Sequence, residues 1–254
     1  MLKQTMQSVL EQHYPDLEYI IIDGGSTDGT VDLIKQYAAR VETGEYGNVK
    51  FQWLSEKDNG MYAAIMKGMS LATGKIVTWL NSDDMYHPDA LRIVGQIFAQ
   101  LPKVAWLTGT PTLYNAEGLC VKTFPTQYWS WKRFKRGDFR WLQQESTFFH
   151  KSLFDAVGGL NLEYKLAADF ELWCKMFQHA KIYSVNTILG GFRQHGDQLS
   201  ITCNEKYEKE VADICKFYNM QYKVFSKHFN YLHNILDKNN LIIFDYDNNQ
   251  WMVL

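Results

Sequence analysis

Several signals that would place a chain in a special class are missing from this one. The four cysteines, Cys120, Cys174, Cys203 and Cys215, form no C-x-x-C pair and no metal-ligand spacing with histidine, so we expect reduced thiols in a cytoplasmic protein. No apolar run approaches the ~20 residues that cross a bilayer, and the start of the chain does not resemble a signal peptide. A net charge of -2 disfavours a general nucleic-acid binder.

The composition that is present belongs to an ordinary globular protein. The chain has 254 residues, of which 46% are hydrophobic and 21% charged, enough for one large domain or two closely packed halves. Aromatic residues reach 15%, which is high. Such a surplus suits sugar stacking, interfaces or a large core, and composition alone does not choose among them.

Two adjacent carboxylates, Asp83 and Asp84, follow directly after the apolar run at residues 75–80. A run of this kind predicts a buried strand, whose carboxyl end is where open α/β sheets bind ligands. Neighbouring carboxylates repel each other unless a positive charge offsets them, and Mg²⁺ or Mn²⁺ on a diphosphate would supply that charge. Capping of the following helix, together with Pro88, explains the pair equally well.

Strands and helices are predicted to alternate before this pair. A β-branched strand at residues 17–23 ends at Asp23, a strand at residues 49–54 leads to Asp58, and helices follow both. This order predicts a parallel sheet with helices on both faces, whose acidic loops converge on one crevice. The chain opens on a helix, however, whereas a doubly wound sheet normally opens on a strand near its middle. We therefore expect an α/β fold with its first strand missing.

Seven segments match a known family in order and spacing over most of residues 1–200: QSVLEQ (7–12), EYIIIDGGSTDGT (18–30), SEKDNGMY (55–62), NSDD (81–84), QESTFF (144–149), ADFELW (168–173) and FRQH (192–195). They resemble family-2 glycosyltransferases, in particular bacterial enzymes of surface-polysaccharide assembly. The resemblance implies a GT-A fold, a Rossmann-like mixed sheet flanked by helices. It also implies a nucleotide-sugar donor, expected to be UDP-linked, and Mn²⁺ or Mg²⁺ as cofactor.

The resemblance assigns the donor-side roles. It implies that Asp23 contacts the base, that Asp58 lies close to the base or ribose, and that Asp83 lies on the donor ribose or sugar. Asp84 becomes the expected metal ligand, and His195 is expected to reach the metal or the diphosphate. Without the resemblance, Asp23 would be read as a turn residue, Asp58 as an ordinary loop residue and His195 as a structural histidine.

The acceptor-side roles also come from the resemblance. It makes Asp169 the general base that takes the proton from an acceptor hydroxyl, although an N-cap of its helix is the structural alternative. The apolar face Phe170, Trp173, Met176 and Phe177 predicts that this helix is buried. Glu145 is expected to bind the acceptor or to support the base. A buried ion pair of Glu145 with Arg193 or Lys151 competes with that role.

The resemblance implies an inverting glycosyltransferase that moves a sugar to a hydroxyl of a saccharide or lipid-linked acceptor in cell-surface polysaccharide synthesis. The alternative is a truncated, weakly active or inactive nucleotide-sugar-binding domain. Family members usually begin with an apolar strand that does not precede Met1 here, and Ala63 and Met66 stand where relatives often show Asp and Asn. An NAD-dependent oxidoreductase is disfavoured because no G-x-G-x-x-G follows a first strand.

We expect residues 1–110 to form a nucleotide-sugar-binding half, residues 111–200 an acceptor-binding half of the same domain, and residues 201–254 a C-terminal helical extension. The stretch from Tyr128 to Arg136, continuing to Trp141, is basic and aromatic. It fits an interfacial segment, an acceptor-side loop, or a helix that packs its tryptophans inward. The expected location is cytoplasmic, with peripheral contact at the cytoplasmic face of the inner membrane, and no nucleic-acid partner is expected.

Overall fold

Helices and strands alternate through the first hundred residues, as the sequence predicts. The computed structural model describes residues 1–137, 142–196, 203–222 and 240–254. The helices of these ranges are α1 (Leu2–Leu10), α2 (Thr30–Glu42), α3 (Met61–Leu71), α4 (Ala90–Gln100), α5 (Trp131–Lys135), α6 (Lys151–Ala156), α7 (Ala168–His179) and α8 (Asn204–Phe217), with a 3₁₀ helix at Gln144–Ser146.

The strands of the described ranges are short, and most of them are apolar. They are β1 (Glu18–Asp23), β2 (Lys50–Ser55), β3 (Ile76–Val77), β4 (Met85–Tyr86), β5 (Trp106–Thr108), β6 (Thr112–Tyr114), β7 (Cys120–Thr123), β8 (Thr147–His150), β9 (Ile182–Val185), β10 (Gly190–Arg193), β11 (Leu241–Asp245) and β12 (Gln250–Val253). The strand predicted at residues 75–80 is therefore reduced to the two residues of β3.

Strands β1 and β2 form a parallel pair of their own, in register from Glu18 opposite Lys50 to Asp23 opposite Ser55. A second sheet has the order β12-β11-β9-β5-β8-β3, and a third the order β4-β10-β6-β7. Strand β8 runs antiparallel to both β3 and β5, whereas β9 runs parallel to β5. The predicted mixed α/β sheet flanked by helices is thus confirmed, although it is divided into separate pieces.

The division falls between β1 and β3. Within the described residues, β1 pairs only with β2 and β3 pairs only with β8, so each strand has one edge without a partner. A cavity of about 1730 Å³ is lined by residues of both strands and by Gly68 of α3 and Val94 of α4. The edges of β1 and β3 that have no partner in the described residues thus border the same cavity.

The core beside the cavity depends on a row of aromatic rings. The indole of Trp173 in α7 lies between Trp79 and Trp106, with ring centroids 5.9 Å apart on both sides. The helical face predicted around Trp173 is buried, since the exposed fractions of its members do not exceed 8%. Aromatic pairs of this kind contribute about 1 kcal/mol each beyond their buried area. The row anchors α7 against the six-stranded sheet and so fixes the position of Asp169.

The C-terminal region departs in part from the predicted helical extension, because it contains strands as well as a helix. Helix α8 is present, but β11 and β12 form an antiparallel hairpin, and β11 pairs with β9 in the six-stranded sheet. The β-branched apolar residues of β11 favour a strand, and Asn249 adopts the positive φ of 52° needed for the turn. Residues 223–239 of the predicted extension lie outside the described residues.

The basic aromatic stretch packs its tryptophans inward in the described part. Trp129 is 5% exposed, and Trp131 stacks on Phe177 with ring centroids 5.9 Å apart. Trp141 lies outside the described residues. None of the helices in the described ranges is both long and apolar enough to span a membrane. Of the alternatives for this stretch, inward packing is the one that these two side chains adopt.

The divided sheet leads to a prediction about local stability. Strand β5 is bonded on both sides, to β8 and β9, whereas β1 is bonded on one side only. We expect backbone amides of β1 to exchange with solvent roughly tenfold faster than those of β5, because β1 opens at lower free energy. Native-state hydrogen exchange measures both strands in one experiment. Equal protection of β1 and β5 would contradict the view that the cavity weakens this edge.

Candidate active site

All the residues that the sequence singled out line the same cavity. They are Asp23, Asp58, Asp83, Asp84, Glu145, Asp169 and His195. Asp23 lies at the carboxyl end of β1, Asp58 in the loop after β2, and Asp83 and Asp84 in the turn after β3. Glu145 lies in the 3₁₀ helix, Asp169 in α7 and His195 just after β10. Side chains separated by more than a hundred residues in the sequence thus meet in one cleft.

Asp23 is 7% exposed and closes the turn after β1. Its Oδ2 accepts hydrogen bonds from the backbone of Gly25 and Ser26, at 3.1 and 3.0 Å, and from the hydroxyl of Ser55 at 2.6 Å. Burial alone would raise the pKa of Asp23, but these hydrogen bonds outweigh it and hold the pKa below its ordinary value. Asp23 therefore does stabilise the turn after β1, and its Oδ1 is the oxygen left to accept a hydrogen bond from a ligand.

Asp58 lies against the same turn. Its carboxylate accepts the backbone N–H of Gly60 at 2.8 Å. A Cβ atom at Gly24 would come within 3.0 Å of Asp58 Oδ2, so a side chain at residue 24 would displace this carboxylate. Asp23 and Asp58 consequently form one corner of the cavity, where two hydrogen-bond acceptors lie close together.

Asp84 is 1% exposed, and it does not cap the following helix. Helix α4 begins after Asp89 instead. Oδ1 of Asp84 accepts the backbone N–H of Arg193 at 2.9 Å, and Oδ2 accepts the amide of Asn81 at 3.2 Å. Burial, followed by the charge of Asp83, raises the pKa of Asp84 to about 7. The capping explanation of the acidic pair is thus not the one adopted.

His195 and Glu145 complete this centre. Nε2 of His195 lies 2.9 Å from Oδ2 of Asp83, so the imidazole contacts the first carboxylate of the pair. Glu145 is 3% exposed, and among the described residues its Oε1 has no hydrogen-bond partner. Burial, followed by the charge of Asp84, raises the pKa of Glu145 well above its usual range. The competing ion pair with Lys151 is not formed, since Lys151 contacts Asp155 at 2.9 Å.

The donor set fits a divalent cation that shares its coordination with a diphosphate. In the described ranges no three His, Cys, Asp or Glu side chains are grouped to hold a metal, so the protein alone does not form a complete cage. Mg²⁺ and similar ions commonly use one or two carboxylates and take their remaining ligands from phosphates and water. Oε1 of Glu145 has no hydrogen-bond partner in the described residues, and the pKa of Asp84 is raised. Negative charge on these carboxylates is therefore unfavourable here, and such a cation would offset it.

Asp169 lies in the first turn of α7 and is half-buried. The residue at the N-cap position is Ala167, so the capping alternative for Asp169 is not adopted. Oδ1 of Asp169 accepts the backbone N–H of Phe170 at 2.8 Å and lies 3.2 Å from the hydroxyl of Tyr62. Burial raises the pKa of this carboxyl despite both contacts. Glu171, the weaker candidate, instead contacts Lys175 at 2.9 Å.

Sequence reasoning missed two side chains of this centre. Tyr62 of α3 reaches Asp169, and Glu210 of α8 accepts backbone N–H groups of Lys165, Leu166 and Ala167 just before α7. Tyr62 lies inside the family-like segment at residues 55–62, and this position could have indicated that it belongs to the site. Glu210 has no such signal, because its partners lie more than forty residues away and are backbone groups.

The raised pKa of Asp84 predicts a pH-dependent stability. Between about pH 4 and 7 the folded protein holds a proton that the unfolded chain has lost, so its free energy of unfolding falls as the pH rises through this window. Asp84→Asn removes the titrating carboxyl and therefore this fall in the free energy of unfolding. With a chelator present, we expect the variant to be more stable than the wild type by on the order of 2 kcal/mol at pH 8, and by much less at pH 4.

Urea denaturation at the two pH values measures this difference. Asp155→Asn is the matched control, because Asp155 is an exposed carboxylate, and its effect on stability should be the same at both pH values. If Asp84→Asn followed the wild type at every pH, the burial of an unpaired charge at this position would be disproved.

Known proteins resemble this chain over most of its length. The model of glycosyl transferase family 2 matches residues 1–154. A PGL/p-HBAD biosynthesis glycosyltransferase of Mycobacterium bovis is 22% identical over 213 residues, which cover 83% of this chain and 78% of the relative. A chondroitin synthase of Pasteurella multocida is 25% identical over 203 residues, 79% of this chain but only 20% of that protein.

Solved structures show the same fold. TarS of S. aureus in complex with UDP-GlcNAc superimposes with a TM-score of 0.66 at 16% identity, and the match covers 89% of this chain and 64% of TarS residues 1–349. The mannosyltransferase PcManGT of Pyrobaculum calidifontis, in complex with GDP-Man and Mn²⁺, gives a TM-score of 0.60 at 17% identity, with 88% and 61% covered. This chain thus spans less than two thirds of either protein. The expected GT-A fold is confirmed, and the chain belongs to glycosyl transferase family 2.

Proposed function

We propose that the protein is a metal-dependent, inverting glycosyltransferase that uses a nucleotide-diphosphate sugar, with UDP as the nucleotide. The acceptor is a hydroxyl of a saccharide or lipid-linked molecule in cell-surface polysaccharide synthesis. The observation that carries the proposal is that the donor-side carboxylates and Asp169 line one cavity. Structures of TarS with UDP and UDP-GlcNAc, and of PcManGT with GDP-Man and Mn²⁺, support a nucleotide-sugar donor and a metal.

The nucleotide is proposed to bind at the corner formed by Asp23 and Asp58. Both carboxylates accept hydrogen bonds only, which suits the N–H of a uracil or the hydroxyls of a ribose. The lowered pKa of Asp23 keeps this acceptor ionised at neutral pH. Because its Oδ2 is already engaged by the turn and by Ser55, the carboxylate is held rigidly before a ligand arrives, which reduces the entropic cost of binding.

The diphosphate is proposed to lie beside Asp83, Asp84 and His195. A bound divalent cation would supply Lewis-acid stabilisation of the negative charge that develops on the departing diphosphate. Asp84 and His195 are the side chains proposed to hold it, and Asp83, which contacts His195 at 2.9 Å, orients the imidazole. Asp83 also remains the proposed contact to the donor ribose or sugar.

Asp169 is proposed as the general base at the acceptor end, with Glu145 on the acceptor side of the same wall. The carboxylate takes the proton of the acceptor hydroxyl while that oxygen attacks the anomeric carbon from the face opposite the diphosphate. The bond from the anomeric carbon to the diphosphate oxygen breaks, and the anomeric centre inverts. The raised pKa of Asp169 brings it closer to neutrality, where a base accepts a proton more readily.

A second candidate function is a nucleotide-sugar-binding domain with little or no turnover. The gap between β1 and β3 favours it, because the nucleotide corner is formed at the end of β1, which has one unpaired edge in the described residues. Met66, where the resemblance leads to an expectation of Asn, contacts the backbone N–H of Leu160 through its sulfur at 3.3 Å. It therefore serves packing in this protein.

Calorimetry and turnover on three proteins separate these functions. We expect wild type to bind UDP more tightly with Mn²⁺ than without it, and Asp84→Ala to lose the metal-dependent part. Asp169→Asn should keep UDP affinity within about twofold and lose roughly 10²- to 10⁴-fold in transfer or UDP-sugar hydrolysis, the usual contribution of a general base. Asp155→Asn, an exposed carboxylate, is the control and should change neither property.

Each result points to one function. Binding without turnover in wild type would support the second candidate, and a wild type that binds no nucleotide sugar would contradict both. A turnover of Asp169→Asn equal to that of wild type would remove Asp169 as the base.

We further propose that the protein is cytoplasmic and touches the membrane peripherally through α5. Trp131 of α5 and the preceding Trp129 pack inward, so the contact would depend on exposed cations such as Lys132 and Lys135. Each basic residue near an anionic surface contributes about 1 kcal/mol. Replacing both lysines by Gln should therefore weaken co-sedimentation with anionic vesicles roughly 30-fold, whereas Lys35→Gln with Lys50→Gln should not. No binding of wild type at low salt would remove the proposal.

A further inference from the structure

Tyr62 connects α3 to the segment that carries Asp169. Its ring is 6% exposed, and its hydroxyl donates to the backbone carbonyl of Leu166 at 2.9 Å. The same hydroxyl lies 3.2 Å from Oδ1 of Asp169. A phenol has one hydrogen, so the two acceptors share it. The division of that hydrogen depends on whether Asp169 carries a charge.

The two oxygens of Asp169 differ in their contacts. Oδ1 accepts the backbone N–H of Phe170 at 2.8 Å and faces the hydroxyl of Tyr62. The hydrogen bonds of this carboxylate in the described residues all fall on Oδ1, which leaves Oδ2 as the oxygen able to take a proton. Held at one oxygen by two donors, the carboxylate has little freedom to rotate and exchange the roles of its oxygens.

The segment before α7 is held from the other side by α8. The carboxylate of Glu210 accepts the backbone N–H of Lys165, Leu166 and Ala167, each at 2.9 Å. These contacts fix the carbonyl of Leu166, and through it the hydroxyl of Tyr62. Helices α3 and α8 therefore both hold the segment that leads into α7 and Asp169, although only Asp169 itself belongs to the proposed chemistry.

We propose that Tyr62 is a positioning residue that holds Asp169 by Oδ1, so that Oδ2 is the atom that accepts the proton of the acceptor hydroxyl. This inference rests on the proposed function, because it names the base atom of the same reaction. In the step, the acceptor O–H bond breaks and its proton goes to Oδ2. The freed electron pair forms the new bond to the anomeric carbon, and the diphosphate leaves with the electrons of the broken bond.

The groups that face Asp169 set its proton affinity. Tyr62 faces it from α3, Tyr207 and Glu210 from α8, and Glu145 from the 3₁₀ helix. Burial and the charge of Glu210 raise the pKa of Asp169, whereas the hydrogen bonds from Phe170 and Tyr62 lower it. Removing the hydroxyl of Tyr62 should therefore raise this pKa further, because the ionised form loses a donor.

The first test is the pH dependence of kcat/KM for sugar transfer by Tyr62→Phe. The acidic limb should move to higher pH by about one unit, since a hydrogen bond to a charged group is of that size. UDP affinity should not change. The matched control is Tyr218→Phe, because Tyr218, the residue after α8, donates to Glu171 of the same helix α7 at 2.9 Å. Its acidic limb should stay where that of wild type lies.

The second test does not require turnover. The carboxyl ¹³C signal of Asp169, assigned with Asp169→Asn, is titrated in wild type and in Tyr62→Phe, and the same upward shift is expected. Replacing Tyr62 by 3,5-difluorotyrosine keeps the ring and makes the hydroxyl a stronger donor, so the titration should move to lower pH. This replacement also provides the answer if Tyr62→Phe does not fold.

The outcomes separate this inference from the proposed function. If the Asp169 titration shifts in the variants at position 62 but the wild type shows no turnover, the contact between Tyr62 and Asp169 stands and the transferase function is disproved. Normal turnover with an unshifted titration in both variants at position 62 would overturn the positioning role. An equal shift of the acidic limb in Tyr218→Phe would overturn it as well, because it would show a general effect of loosening α7.

Discussion

The burial of like charges at the carboxyl edge of the sheet is the constraint on which the rest of this structure depends. Asp84 and Glu145 are almost fully buried, and Asp83 is adjacent. In a medium of low polarity such carboxylates repel each other and lose their hydration, so each favours its protonated form. A fold that keeps them together must recover this free energy elsewhere, or else receive a cation or a proton.

The free energy lost by burying these carboxylates is offset by the apolar core behind the site. Trp173, stacked between Trp79 and Trp106, ties α7 to the six-stranded sheet, and Phe149 packs against the same indole at 6.3 Å. Trp79 is joined through the short segment 80–82 to the acidic pair, and Trp173 lies one helical turn after Asp169. Residues close to both halves of the proposed chemistry are therefore held in one aromatic cluster.

Much of the fold and of the site could be predicted because the signals are local. The strand before Asp23, the glycine that admits Asp58, and the apolar face of α7 are each encoded within about a dozen residues. The hairpin β11–β12 was missed because its pairing with β9 is set by residues nearly sixty positions away. Glu210 was missed for the same reason, since an acidic residue on an amphipathic helix carries no sign that it will bind distant backbone amides.

The cavity thus holds carboxylates in three different protonation regimes, each with its own physical cause. Asp23 is kept ionised by hydrogen bonds at the corner that it shares with Asp58. Asp84 titrates near neutrality because it is buried beside another charge, so a cation would convert it fully to the ionised form. Burial raises the pKa of Asp169, and hydrogen-bond donors to one of its oxygens limit that rise. Since the charges of Asp84 and Asp169 both raise the pKa of Glu145, a cation beside Asp84 would lower that pKa and so change the charge that faces Asp169.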